Sequence, residues 1–242
     1  MTQPFTLAAC AEMLWCDKPM EWRLRRLTEL GYQAGIWSWQ AHDLGMLEKS
    51  GAVFSSMTGY IRGRPADDEG AEELLATAGK SIEVGKRLNI ARLNPHGTGL
   101  GEGGLPVTPC EIVTGAMWLK ARDTLSRIAD LGAEHGATFM IENLNLPVDH
   151  PGVPFARIED TLALVSSVDR PELRLKPSPP ETTKPRLKLS ALRSPSEEVT
   201  HGHAPQPPDR RRHPVDESAR SEDLDALCDD AWTRRPPRPP PA

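Results

Sequence analysis

Apolar positions in this chain fall into short runs separated by longer stretches with a helical repeat, and the two alternate as far as about residue 175. Phe5–Leu14 is mostly apolar and reads as a first strand. Asp17 and Pro19 then open a helix in which Met20, Leu24, Leu27 and Leu30 recur at helical spacing before Gly31. A second strand is predicted over Gln33–Trp39, a short helix over His42–Lys49 and a third strand over Ala52–Gly59. Asp68–Leu88 reads as a long amphipathic helix, with Ala71, Leu74, Leu75, Ala78, Ile82 and Gly85 inward and Glu72, Glu73, Lys80 and Lys86 toward water. Ile90–Asn94 is the predicted fourth strand. Thr108-Pro109-Cys110-Glu111 combines a capping residue, a proline and an acidic third position, and predicts the start of a helix carried by Val113, Met117, Ala121, Leu125 and Ile128 to about His135. Thr138–Ile141 is the fifth strand, Ile158, Leu162 and Val165 mark a fifth helix, and a sixth strand begins within Glu172–Leu175.

Strict alternation of strands with helical crossovers implies an α/β fold with a parallel sheet, open or closed into a barrel. Right-handed crossovers put every strand end, and the loop after it, on one face. Thr138–Ile141 delivers Glu142 to that face, where parallel folds place ligands and catalytic groups. A carboxylate that merely caps the strand or pairs with a nearby cation is the competing reading.

Composition changes sharply after Leu175. Of the 24 prolines, 10 lie in residues 1–175 and 14 in residues 176–242, where Trp232 is the single aromatic. The expected domains are therefore 1–175, a β/α domain, and 176–242, a disordered proline-rich tail in which Ser221–Trp232 is the best helix. A tail ending RRPPRPPPA could serve an SH3-like partner. It is also what GC-rich codons yield when read out of register, so a frameshift near codon 175 accounts for the break.

A net charge of −5 favours neither nucleic acid nor an anionic membrane as partner. No run of about 18 apolar residues occurs, and the N-terminal stretch lacks a basic leader. Cys10, Cys16, Cys110 and Cys228 form no CxxC pair and read as free thiols, which together with the missing leader predicts a cytoplasmic protein.

The loop GTGLGEGG holds a G-x-G-x-x-G at Gly99, Gly101 and Gly104, but Leu105, Pro106, Val107 and Thr108 separate it from the predicted helix, which argues against dinucleotide binding. His96 stands at a strand end beside this loop, where a substrate-binding or acid/base histidine is useful and a structural one equally natural. His42, His135 and His150 have weaker claims. Trp15 and Trp37, also near strand ends, could wall a pocket or simply pack.

IENLNLPVDHPG, Ile141–Gly152, resembles the Glu…Asn…Asp…Pro-Gly signature of the hydroxypyruvate isomerase family, a branch of the xylose isomerase-like (β/α)8 TIM barrels. Ala8, Met13, Leu14 and Trp15 and the GKRLN of Gly85–Asn89 support the likeness, which covers about residues 5–175. The resemblance implies a TIM-barrel-type fold, here incomplete at about six β/α units. It implies isomerisation of hydroxypyruvate to tartronate semialdehyde through an enediol, and a divalent metal, Mg2+ or Mn2+. Glu142 would be both metal ligand and catalytic carboxylate, with His96 and Asn145 binding the small hydroxy-carbonyl substrate. A homo-oligomer is compatible with this reading, and neither nucleic acid nor membrane is expected as partner. A ketose 3-epimerase on the same barrel and a non-catalytic interaction protein are the alternatives. Family members follow the sixth strand with an Asp-x-Tyr-His motif and later ligands; this chain reads LRLKPSPPETTKP instead, in which Lys176, Pro177, Pro179 and Pro180 cannot continue a central strand, so the metal site is expected to be incomplete and the chain to lack most of an active site.

Overall fold

The computed structural model describes residues 6–146 and 149–177. Six strands alternate with five α-helices: β1 (Ala8–Cys10), α1 (Met20–Glu29), β2 (Gln33–Ile36), α2 (Leu44–Lys49), β3 (Phe54–Thr58), α3 (Asp68–Leu88), β4 (Arg92–Asn94), α4 (Gly115–His135), β5 (Thr138–Glu142), α5 (Ile158–Val168) and β6 (Leu173–Lys176). The strands form one sheet in the order β1-β2-β3-β4-β5-β6, every neighbouring pair parallel. These are five consecutive β/α units and a sixth strand of a TIM-barrel-type sheet; the alternation predicts the parallel sheet and the resemblance its type.

The helices lie against one face of the sheet. Met57, Leu93 and Phe139 are fully buried; Met57 and Leu93 meet α3 at Gly85, and the Phe139 ring meets α4 at Gly132. Side chains alternate along a strand, so Asn94, one residue past Leu93, turns to the face away from the helices. Glu142, three residues past Phe139, does the same. The rung Glu142↔Lys176 brings Lys176 to that face as well.

Local chemistry accounts for the helix ends. Asp67 accepts from the Gly70 N–H at the start of α3, and Asp43 accepts from the Met46 N–H at the start of α2. Asn89 and Gly136 end α3 and α4 in the left-handed region.

Three expectations are corrected. The helix expected from Thr108 begins at Gly115, capped by Thr114, because the Cys110 N–H donates to the Gly152 carbonyl (2.8 Å) and holds that stretch against the loop after β5. A tertiary bond overrides a local capping pattern. The first strand is shorter than Phe5–Leu14, since Ala11–Met13 coils into a 3₁₀ turn; Phe5 lies outside the described residues. The sixth strand runs through Lys176 rather than stopping before it, paired to Glu142. The tail from residue 178, with Cys228 and the helix expected at Ser221–Trp232, lies outside the described residues.

Candidate functional site

Glu142 is the centre of a polar cluster assembled from the ends of β4, β5 and β6. Asn94 Nδ2 donates to its Oε2 at 2.6 Å, Lys176 Nζ donates to the same oxygen at 2.9 Å, and His96 Nε2 stands 3.7 Å away. The carboxylate side chain is 16% exposed and that of Lys176 28%, so the pair is shielded yet reachable. Burial pushes the Glu142 carboxyl up, but His96 and the Lys176 ammonium outweigh burial and hold it down at about 2. Glu142 is therefore an anion throughout the physiological range.

His96 is oriented from its other side. The buried Tyr60 hydroxyl donates to the Thr98 carbonyl at 2.6 Å, which commits its one proton, so at 3.1 Å it accepts from His96 Nδ1–H. In the neutral ring that leaves Nε2 as the lone pair, and Asn94 Nδ2 faces it at 3.4 Å. The amide thus directs one N–H to Glu142 and the other to His96. The opposite end of that amide, Asn94 Oδ1, is buried with no hydrogen-bond partner among the described residues. Burial pushes the Tyr60 hydroxyl pKa well above its ordinary value, so it stays protonated.

The loops after β4 and β5 close against each other. His150 Nδ1 donates to the Gly104 carbonyl (2.7 Å), and the Cys110 N–H donates to the Gly152 carbonyl (2.8 Å). Gly97 permits this approach: a Cβ there would lie 1.9 Å from the Pro154 carbonyl oxygen.

Sequence reasoning named Glu142 and His96, and the structure brings them together. Asn145, also named, donates from Nδ2 to Asp149 Oδ2 (3.2 Å), and its carbonyl accepts from the Asp149 and His150 N–H groups, which closes the turn. Asn94, Tyr60, Thr98 and Lys176 were missed. Asn94 and Lys176 are the terminal residues of strands flanking β5, so the pairing register is the signal that finds them. The glycines of the G-x-G-x-x-G open no α-helix: Glu102–Gly104 forms a 3₁₀ turn and α4 starts only at Gly115.

A second partly buried carboxylate lies at the mouth of β1. Glu12 accepts from the backbone N–H groups of Trp37 and Ser38 and pairs with His42 Nε2 at 3.0 Å. Its oxygens are taken by neighbours, and it ties β1 to the loop after β2. Burial first, then the Glu12 charge, pushes the Cys10 thiol up to about 12, leaving it unreactive. Trp15 packs edge-on against Trp22, with ring centroids 5.6 Å apart, whereas Trp37 is half exposed. His135 faces Lys86 at the surface.

The described residues do not form the metal cage that the resemblance implies. They bring one carboxylate and one imidazole together here, and among them no group of three or more His, Cys, Asp or Glu side chains could hold an ion. Mg2+ and Mn2+ take six oxygen ligands in a near-octahedral arrangement, and Glu142 Oε2 already carries an ammonium and an amide.

No protein-family model and no curated protein matches the chain. Solved structures do resemble it. An AP endonuclease, family 2, from Brucella melitensis superposes with a TM-score of 0.60 at 16% identity, over 95% of this chain and 90% of its own. The IolI protein with a bound zinc atom gives 0.53 at 16% identity, over 71% of this chain and 62% of its own. D-Psicose 3-epimerase from Clostridium cellulolyticum H10, with D-tagatose, gives 0.54 at 10% identity, over 72% and 63%. The chain thus spans less than two thirds of the length of the latter two. No helix among the described residues is long and apolar enough to cross a membrane. At these identities the likeness shows the fold alone, a TIM-barrel-type β/α fold.

Proposed function

We propose that this site transfers a proton next to a carbonyl in a small hydroxy-carbonyl compound, as a hydroxypyruvate isomerase does. Hydroxypyruvate and tartronate semialdehyde are the pair interconverted. The observation that supports this reading is an ionised, shielded carboxylate at a strand mouth on which an amide, an ammonium and an oriented imidazole converge. Glu142 takes the proton from C3, the C–H electron pair forms the C2–C3 double bond, and the C2 carbonyl pair moves onto oxygen. N–H donors hold that oxygen as its charge grows. Return of the proton at C2, with transfer of the hydroxyl proton from O3 to O2, completes the aldehyde. Asn94 Oδ1 meets no donor among the described residues, and a substrate hydroxyl is the kind of group that supplies one. The reading concerns groups on β3 to β6 and the loops after them, and no step in it passes through a metal.

The full chain, incubated with hydroxypyruvate in D2O and followed by proton NMR, tests it. Deuterium is expected to enter the carbon next to the carbonyl, and Glu142→Gln is expected to slow the entry by about 100-fold or more. Wild-type protein that leaves the C3 protons unexchanged overturns the reading. The likeness to a D-psicose 3-epimerase favours a ketose 3-epimerase as second reading. Deuterium entering C3 of D-fructose instead of hydroxypyruvate decides for it.

A further inference from the structure

Enolisation puts negative charge on a carbonyl oxygen, and an enzyme that catalyses it meets that oxygen with a cation or with aligned donors. The present inference rests on the isomerase reading above and asks where this site finds its positive charge. The described residues supply no cluster of three metal-ligating side chains. They do supply a cation. Lys176 Nζ lies 2.9 Å from Glu142 Oε2, brought there by the backbone: Glu142↔Lys176 is a rung of the β5–β6 ladder, so both side chains leave the same face of the sheet. Lys176 and Asn94 together hold one oxygen of that carboxylate, Oε2.

We infer that Lys176 is the cation of this site, its ammonium passing from Glu142 Oε2 to the substrate carbonyl oxygen and holding there the charge that a divalent metal would otherwise hold. The exchange serves both halves of the step. The substrate oxygen gains a donor and a full charge as its π pair arrives. Glu142 loses one of two donors on Oε2 as it accepts the proton from carbon, which makes it a better base. The proton then returns to the neighbouring carbon and Lys176 to the carboxylate, with no oxidant, reductant or co-reactant consumed. Lysine suits the part because its compact charge sits on a flexible stem that can change partners.

The test uses the full chain, with Mn2+ alone as the metal probe, read by electron paramagnetic resonance. A second readout is deuterium entry into hydroxypyruvate after EDTA treatment. Lys176→Gln is expected to bind Mn2+ about tenfold more tightly than wild type, through the carboxylate that the ammonium no longer covers. That gain disappears when Glu142→Gln is added. EDTA leaves wild-type exchange unchanged, whereas Lys176→Gln slows it by about 100-fold or more. Lys176→Arg, which keeps the charge, retains more activity than Lys176→Gln; it also carries the test should the glutamine variant melt early. Wild-type exchange that stops with EDTA and resumes with Mn2+ overturns the role of Lys176 and leaves the isomerase reading standing. No exchange in wild type, with or without Mn2+, overturns the isomerase reading and the role of Lys176 with it.

Discussion

Lys176 Nζ and Glu142 Oε2 meet at 2.9 Å across a rung of the β5–β6 ladder, and that one contact links the stability of the sheet to the chemistry at its mouth. Because the Glu142 carboxyl is held at about 2, below its ordinary 4.5, its ion pair contributes stability that is fully present above pH 4.5 and is lost as the pH falls toward 2. The contribution is at most about 3–4 kcal/mol, since each unit of displacement is worth about 1.4 kcal/mol. Urea unfolding between pH 6 and pH 3 measures it: wild type is expected to lose more stability over that interval than Glu142→Gln. Equal losses in the two proteins would remove the ion pair from the account.

Glu12 offers a separate check on how the strand mouths are fastened. Three donors from the loop after β2, the Trp37 and Ser38 N–H groups and His42, converge on its carboxylate. Glu12→Ala leaves two backbone donors without an acceptor, at a cost of about 2–4 kcal/mol. Hydrogen exchange at the Trp37 and Ser38 amides is expected to speed up, and far less in Glu12→Gln, which keeps one acceptor oxygen. Unchanged protection in the alanine variant would mean that the loop holds itself.

How much of this is legible before any coordinates depends on which contacts are local. Asp68–Leu88 is readable residue for residue, because its apolar stripe is unbroken and Asp67 and Asn89 punctuate its ends. Strand limits are not, since strands of three to five residues are too short for an alternation to fix their ends. Glu142 is legible from its place after an apolar run. Lys176 is not: the proline after it argues for a strand stop, and only the pairing register reveals that it faces Glu142. Tyr60 reads as a loop residue after Gly59, and its grip on His96 is a contact between loops after different strands.

Two glycine substitutions are expected to move stability in opposite directions. Gly79 lies within α3 with nothing within 4 Å of a built Cβ, so Gly79→Ala is expected to stabilise by about 0.5–1 kcal/mol through helix propensity. Gly97→Ala drives a methyl to 1.9 Å from the Pro154 carbonyl oxygen and is expected to cost about 1–3 kcal/mol. It should also slow exchange at the substrate, because the loops after β4 and β5 are forced apart beside His96. Thermal melts and the deuterium assay read both effects. A Gly97→Ala protein as stable and as active as wild type would show that the two loops separate freely.

Tyr60→Phe isolates the orientation of His96 from its presence. The Tyr60 hydroxyl is the acceptor for His96 Nδ1–H and the donor to the Thr98 carbonyl, so phenylalanine removes both bonds while keeping the ring that packs edge-on at 5.8 Å. The loss of two buried hydrogen bonds is expected to cost about 1–3 kcal/mol. The more telling readout is nitrogen-15 NMR of the imidazole. In wild type Nδ1 carries the proton and Nε2 faces Glu142; without Tyr60 the neutral ring is free to protonate at Nε2, which the carboxylate 3.7 Å away favours. The variant is then expected to shift toward the Nε2–H tautomer and to lose activity without losing Glu142 or Lys176. A wild-type ring that already carries its proton on Nε2 would reverse the donor order through Tyr60 and Asn94, and would leave the Tyr60→Phe effect as one of packing alone.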